Sequence, residues 1–361
     1  MRRRIDEYVI REILPLLMAG MLVVVLLLLI AVFIEVLGPI LAKGANPLLV
    51  GKLIAYSIPE AVGRGLPIAL LFAVLIAMTR LAADSEIKSA LAGGISPRRL
   101  MSPVMVLSVV VALVSFLNVA LFVPRSTEQA LQTQRDILLD NPRVLVKEGT
   151  VFKDALNRAI YIDEILPGNQ LRGVQVIQLN TAEPPRELIS AERGILENST
   201  GTIVLYDGQR VTYRDAKPVT IASFKEARLP VQDLQATFTG GLKSVLVNQT
   251  IQELWTRVKQ ARDQGFPAYA ENTALQRKFA EPAAAIAFGF FAVTLALYSF
   301  RSGTNVGLVW VLSLTFLYYA TWSVFRVMGE NGALPPVIAA WAPDALYVLA
   351  GLGLLVVTAR R

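Results

Sequence analysis

Residues 100–124 read LMSPVMVLSVVVALVSFLNVALFVP, and residues 125–136 continue RSTEQALQTQRD. The first string holds 25 residues without a charge. A helix rising about 1.5 Å per residue crosses a hydrocarbon core of about 30 Å with about 20 of them. The second string is polar apart from Ala130 and Leu131, so the chain leaves the bilayer near Pro124 and enters a soluble segment. This step from one solvent to the other sets the architecture.

Uncharged runs of similar length recur at residues 13–34 (22 residues), 282–300 (19) and 302–325 (24). Two more stretches contain ions. Residues 53–79 carry Glu60 and Arg64 ahead of 15 uncharged residues, and residues 334–358 carry Asp344 ahead of another 15. Six transmembrane helices are expected. The first is expected to be retained, because 22 residues exceed the usual signal-peptide core and no small-x-small cleavage site follows.

Composition agrees. Of 361 residues, 54% are hydrophobic and 17% charged, against about 25% charge in ordinary soluble domains. There is no cysteine and no histidine, which excludes disulfides, zinc–thiolate and iron–sulfur sites, thiol nucleophiles and imidazole catalysis. No spacing of carboxylates marks a metal site, and nothing points to nucleic acid. With the N-terminus inside, the short inner segments carry Arg2, Arg3, Arg4, Arg11, Arg80, Lys88, Arg98, Arg99, Arg301, Arg360 and Arg361, and the short outer ones only Lys43, Lys52 and Arg326. Such an asymmetry places both termini in the cytoplasm and the long insert outside.

The insert, residues 125–278, holds 20 of the 35 basic and 18 of the 28 acidic residues. Ser126 and Gln129 fit a capping box for a helix ending before Pro142. Seven short β-like runs follow, at 144–151, 159–165, 173–179, 187–195, 202–206, 209–213 and 219–227. Turn signals at Pro167-Gly168-Asn169, Asn198-Ser199-Thr200-Gly201 and Asp207-Gly208 separate them. The pattern predicts a small sandwich or open jelly roll. Thr250 and Glu253 form a second capping-box pattern for a helix through Arg262, broken at Gly265-Phe266-Pro267. A further helix after Asn272 is expected to run into span four. The expected fold is therefore a membrane α-helical protein of six spans with an inserted extracytoplasmic, jelly-roll-like all-β domain. Its parts are residues 1–124 (spans one to three), 125–272 (the β-domain with flanking helices) and 273–361 (spans four to six).

A phosphate-cradling loop needs a Gly-Lys step before Ser or Thr. The nearest string, Gly240-Gly241-Leu242-Lys243-Ser244, lacks it and lies in the outer insert. The chain is thus expected to hold no nucleotide site, no cofactor and no catalytic residue. The loop between spans two and three reads RLAADSEIKSALAGGISPRR over residues 80–99. Residues 84–92 can form a short helix stopped by Gly93-Gly94, and Ser96-Pro97 can start the next one. Ile87, Leu91 and Ile95 can face a partner or the lipid surface, and Glu86 is an acid in an otherwise basic setting. The loop reads either as an interfacial connector or as a coupling helix seated in an ATPase groove.

Several strings, taken in order, resemble the permease subunits of the lipopolysaccharide-export ABC transporter, the LptF/LptG family. They are Ile58-Pro59-Glu60 with Leu66-Pro67, Ser85-Glu86-Ile87 with Gly94-Ile95-Ser96, and Gln276-Arg277-Lys278-Phe279-Ala280-Glu281-Pro282. Gly329-Glu330-Asn331-Gly332-Ala333-Leu334-Pro335-Pro336 and Ala340-Trp341-Ala342-Pro343 complete the set. The layout of three spans, an outer β-domain and three spans is similar too, although the β-domain matches in layout alone. The resemblance implies an inner-membrane subunit exporting lipopolysaccharide or a similar large anionic lipid. Asp84, Ser85, Glu86, Ile87, Leu91 and Gly94 would then contact a separate ABC ATPase dimer, which holds the ATP and Mg. The other implied partners are a second permease subunit of the family, a single-span periplasmic jelly-roll protein and a periplasmic bridge.

Lys43, Lys52, Arg64 and Arg326 fall near the outer ends of spans and can form a basic collar for lipid A-type phosphates. Glu60 and Arg64, spaced i,i+4, can equally pair with each other. Family members place basic residues near the outer end of span one, whereas here Glu35, Gly38 and Pro39 come first and the first Lys is at 43. Asp344, after Pro343, is expected to cap a helix or face the bundle. Ile160, Ile162, Val174 and Val176 fit a lipid groove or an ordinary sheet core. Two other classes compete with the permease. An ion-coupled secondary transporter would use Glu60, Arg64 and Asp344 as its relay. A membrane anchor would display the β-domain for envelope assembly, although six spans exceed what an anchor needs.

Overall fold

The computed structural model describes residues 2–42, 44–140, 150–153, 158–166, 170–178, 187–197, 202–214, 217–230, 246–302 and 308–360. The expectations for Lys43, for residues 144–149, for the turns at 167–169 and 198–201 and for the string 240–244 lie outside these. The helices are α1 (Arg2–Val32), α2 (Gly38–Ala42), α3 (Pro47–Ala83), α4 (Glu86–Ala92), α5 (Pro97–Leu117), α6 (Val123–Asp140), α7 (Ile251–Asp263), α8 (Tyr269–Ser302), α9 (Leu308–Glu330) and α10 (Pro336–Arg360). The chain divides into two compact units. One comprises Met1–Ala31, Ser57–Ser126 and Leu246–Arg361, the other Val32–Tyr56 and Thr127–Val245.

Among the described residues five helical stretches have the length and apolarity to cross a membrane: Arg4–Glu35, Pro47–Ala83, Pro97–Gln134, Tyr269–Ser299 and Pro336–Thr358. The remaining expected span, residues 302–325, falls largely on α9, a helix of 23 residues. The core of the helical unit joins Ile13 and Leu17 of α1 to Leu70, Val74 and Met78 of α3, Val104 of α5, Phe288 and Ala292 of α8, Tyr318 of α9 and Tyr347 of α10. Small residues set the closest approach. A Cβ placed on Gly289 of α8 would lie 1.8 Å from Ser108 Oγ of α5, so glycine is required where these backbones touch.

The helix expected to open at Ser126 does not begin there. A π-helical turn, Asn118–Phe122, carries α5 directly into α6. The widened ring just before Pro124 accommodates the missing proline N–H, so the chain remains helical as it leaves the span. The capping box at Thr250 forms as expected, with Glu253 N–H donating to Thr250 Oγ1 and Thr250 N–H donating to Glu253 Oε2. Gly265, at φ +76°, ends the segment after α7, and α8 runs unbroken from Tyr269 to Ser302.

In the second unit β1 (Thr150–Lys153), β2 (Arg158–Leu166), β3 (Gln170–Gln178), β4 (Glu187–Glu197), β5 (Thr202–Arg214) and β6 (Lys217–Pro230) form one antiparallel sheet in chain order. Residues 202–206 and 209–213, expected as two strands, form a single one. Asp207-Gly208 is not a hairpin turn, because both its flanks remain paired with β4 and β6. Instead it belongs to a crease across the sheet. Glu164, Arg172, Arg193, Tyr206 and Glu226 are register partners in successive strands. Along this row the inward-facing phase slips by one: Ile160 and Ile162 then Asp163-Glu164, Leu171 then Val174 and Val176, Ile203 and Leu205 then Gly208. Gly173 at φ +63° and Asp207 at φ +49° supply the reversal. Without it a period-two strand would turn half its apolar residues outward. Both halves of the sheet thus bury one cluster, Ile160, Ile162, Val174 and Val176 with Leu171, Ile203, Leu205 and Leu229. A sandwich-like core therefore arises from one creased meander.

The contact at Gly289 is testable. Gly289→Ala should lower the thermal unfolding midpoint in detergent, since overpacking costs about 1–3 kcal/mol. Ser108→Gly in the same chain should restore it; no rescue would mean that the two helices do not meet there.

Candidate functional site

Two regions of the helical unit gather polar side chains. The first surrounds α4. Ser85, at φ +58°, makes the turn out of α3, and Gly94, at φ +81°, ends the connection, as its place in the Gly93-Gly94 stop predicts. Ile87 is 2% exposed, and Leu91 and Ile95 pack against the same core. These three anchor the short helix to its own bundle, which corrects the expectation of an outward apolar face. The free face is instead polar: Asp84, Ser85, Glu86, Lys88 and Ser89 are all exposed. Glu86 accepts a hydrogen bond of 2.7 Å from Tyr8 of α1. Arg80 pairs with Glu12 of α1 at 2.9 Å, and Arg99 of α5 pairs with Asp6 of α1. The connector is therefore clamped to α1 on both sides. Nothing in the sequence links Tyr8, Asp6 and Glu12 to these partners, which lie 68 or more residues away.

The second region lies at the other end of α3, α8, α9 and α10, where the separately quoted strings meet. Arg277, with 6% of its side chain exposed, pairs with Glu281 at 2.5 Å and with Glu330 at 3.6 Å. Its guanidinium also lies 4.5 Å from the centre of the Trp322 ring. Trp341 Nε1 donates to Gln276 Oε1 at 3.4 Å. Lys278 is almost fully buried, and its Nζ donates to the Val119 carbonyl inside the π-helical turn at 3.4 Å. Beside it Asn118 Nδ2 donates to the Pro59 carbonyl at 2.7 Å. Ser115 Oγ donates to the Gly63 carbonyl at 3.5 Å, the acceptor that Pro67, four residues on and without an N–H, leaves unused. Polar side chains thus satisfy the backbone where prolines and a π turn interrupt it, as a membrane interior demands.

A cavity of about 510 Å³ opens beside this cluster, lined by Leu28, Pro67, Ile68, Ala284, Tyr318 and Tyr319 with Arg64, Glu281, Trp322 and Arg326 among its polar and aromatic groups. Such a volume, mostly apolar with a few polar groups, is typical of small-ligand sites. Two of the four expected collar residues line it. Arg64 pairs with Glu60 at 2.6 Å, as their spacing predicts. Arg326 lies 5.4 Å from the Trp322 ring centre, has no carboxylate partner among the described residues, and leaves Nε buried without a hydrogen bond. Lys52 is exposed on α3 within the other compact unit. Asp344 lies inside α10 rather than capping it, 6% exposed, and accepts from Tyr318 at 3.0 Å. Ile160, Ile162, Val174 and Val176 are 2% exposed or less. They form the closed core of the sheet, beside a cavity of about 410 Å³ that Val176, Ile189, Phe224 and Leu229 line with Arg158, Arg210 and Arg228.

Long apolar helices interrupted by a creased β-sheet, with ion pairs and a basic-rimmed cavity at one end of the bundle, define a polytopic membrane protein with an inserted β-domain. The chain belongs to the family described as "Lipopolysaccharide export system permease LptF/LptG", matching it over residues 7–356. It is 23% identical over 357 residues to the lipopolysaccharide export system permease protein LptF of Escherichia coli strain K12, across 95% of this chain and 92% of that protein. The LptF of Shigella flexneri matches to the same extent.

Removing Arg277, with 6% of its side chain exposed, would leave Glu281 and Glu330 without the cation they share. Arg277→Ala should cost on the order of 3 kcal/mol and sharply lower the unfolding midpoint in detergent. An unchanged midpoint would show that the cluster carries no stability.

Proposed function

We propose that this chain is a permease subunit of an ABC transporter that extracts lipopolysaccharide, or a similar large anionic lipid, from the inner membrane and passes it to a periplasmic bridge. The observation that carries the reading is the basic-rimmed apolar cavity inside a bundle of this family. Acyl chains fit the surface of Leu28, Ile68, Ala284 and Tyr319, while the Arg326 guanidinium, without a carboxylate partner among the described residues, meets phosphate together with Arg64. Both termini lie in the cytoplasm and the β-domain, residues 125–272, in the periplasm, in keeping with eleven inner against three outer basic residues.

The work comes from a separate ABC ATPase dimer, which holds ATP and Mg; this chain carries no cofactor of its own. The ATPase engages the polar face of α4, with Glu86 as the natural partner of an ATPase arginine. Asp84, Ser85 and Gly94 shape the turns around it, and Ile87 and Leu91 transmit the push into the core. Tyr8, hydrogen-bonded to Glu86, links the same movement to α1, whose Leu28 lines the cavity. A second permease subunit of the family completes the passage. The creased sheet then receives the acyl chains between its halves, where Ile160, Ile162, Val174 and Val176 would part to admit them. A single-span periplasmic jelly-roll protein and the bridge take the lipid onward.

Co-purification tests the coupling. Glu86→Arg should lose the ATPase and ATP-dependent lipid release together, and full retention of both would overturn the assignment. Lipid binding is tested at the other end of the bundle. Arg326→Glu should weaken lipopolysaccharide crosslinking to the bundle by roughly tenfold or more, because a hydrogen bond to a charged group is worth about 1.5–3 kcal/mol.

A further inference from the structure

Helix α7 belongs to the helical unit and packs against the first turns of α8, where Leu254 is buried with Ala274 and Leu275. Its inward stripe is Ile251, Leu254, Val258 and Ala261. At 100° per residue Trp255, Lys259 and Arg262 share one flank of this stripe, and Glu253 and Arg257 the other. Arg262 and Val258 line a groove of about 530 Å³ together with Phe266, Tyr269, Asn272 and Pro336. The flank carrying Trp255 is thereby the one turned toward Pro336.

Pro336 fixes the level of this groove. It is the first residue of α10, and Pro336–Thr358 is a candidate span of 23 residues, about 34 Å long at 1.5 Å per residue. The end of α9 and the loop ahead of α10 are seated on the start of α8: a Cβ on Gly332 would lie 2.7 Å from the Tyr269 ring, and one on Gly329 2.9 Å from Thr273 Oγ1. Trp341 of α10 reaches Gln276 of α8. The first turns of α8, and α7 packed on them, therefore stand where span six enters the bilayer.

At that level the chain exposes large aromatic groups: Trp255 is 58% exposed, Phe266 67% and Tyr269 44%. Lys259 Nζ lies 5.7 Å from the Trp255 ring centre. Aromatic rings with basic residues between them, at the ends of spans, match the chemistry of the headgroup region, where apolar ring faces meet acyl chains and cations meet phosphate.

We infer that α7 and the Phe266 segment form an interfacial anchor, its Trp255–Lys259–Arg262 flank lying on the phospholipid leaflet from which α8 and α10 enter the membrane. This role stands apart from the transport reading: the anchor holds α7, and the first turns of α8 packed on it, at the level of the headgroups.

The absence of cysteine allows a direct test in the full chain. Trp255→Cys, Phe266→Cys and Gln260→Cys, all at exposed positions, would each be labelled with an environment-sensitive fluorophore. The labelled chains would be reconstituted in vesicles of phosphatidylethanolamine and phosphatidylglycerol at three to one. The labels at 255 and 266 should lose most of their emission to a shallow nitroxide-bearing lipid and resist aqueous iodide, and the label at 260 should do the reverse. Iodide quenching at all three positions would overturn the anchor, as would labels at 255 and 266 that neither quencher reaches, which would indicate a protein cover. The readout needs neither ATPase nor lipid cargo, so its failure would be distinct from failure of the transport reading.

Discussion

The bundle depends on a single requirement: inside hydrocarbon the backbone carbonyls freed by an irregular helix must find donors within the protein. Pro67 in α3 and the π turn after α5 would otherwise strand the Gly63 and Val119 carbonyls. Ser115 and Lys278 donate to these, and Asn118 adds a bond to the Pro59 carbonyl. Next to them Arg277 neutralises Glu281 and Glu330 and lies against Trp322. Irregular helix is thus tolerated where polar side chains from neighbouring helices meet it. It also leaves room: the cavity rimmed by Arg64 and Arg326 opens beside the interrupted stretch of α3.

The two ends of the bundle differ in kind. At the α4 end, charges pair across helices on the surface, Arg80 to Glu12 and Arg99 to Asp6, and a turn with Ser85 in the left-handed region holds a short helix by the buried Ile87. At the other end Arg277 is packed inside against Glu281 and Glu330, and Arg326 is left without a carboxylate among the described residues. In the proposed mechanism a motion imposed on α4 would pass through the core that α3, α5 and α8 share. It would end at the cavity rimmed by Arg64 and Arg326. That asymmetry is the physical content of the transport proposal.

The β-sheet solves a different problem. A meander of six strands has one apolar face, which needs a cover. Here it covers itself, because the row through Glu164, Arg172, Arg193, Tyr206 and Glu226 places two successive outward residues in each strand and lets the halves share one core. Gly173 and Asp207 provide the left-handed backbone the slip requires.

Much was legible from residue order alone. Uncharged runs of bilayer length, the polar insert, the capping box at Thr250, the break at Gly265, the glycine stop at Gly94 and the Glu60–Arg64 pair all follow from local periodicity or i,i+4 geometry, which a single segment specifies by itself. The tertiary structure decided what local rules leave open. Asp207-Gly208 reads as a turn, yet neighbouring strands on both sides hold it in a continuous strand. Ser126 reads as a helix start, yet the preceding span carries the helix through it. Ile87 and Leu91 have apolar side chains that suit either a partner or the core, and only packing assigned them to the core. Arg277 meeting Glu330, Lys278 meeting Val119 and Arg326 joining Arg64 around one cavity link residues 53 to 262 positions apart. No sequence periodicity encodes such distances, because they are fixed by how whole helices pack.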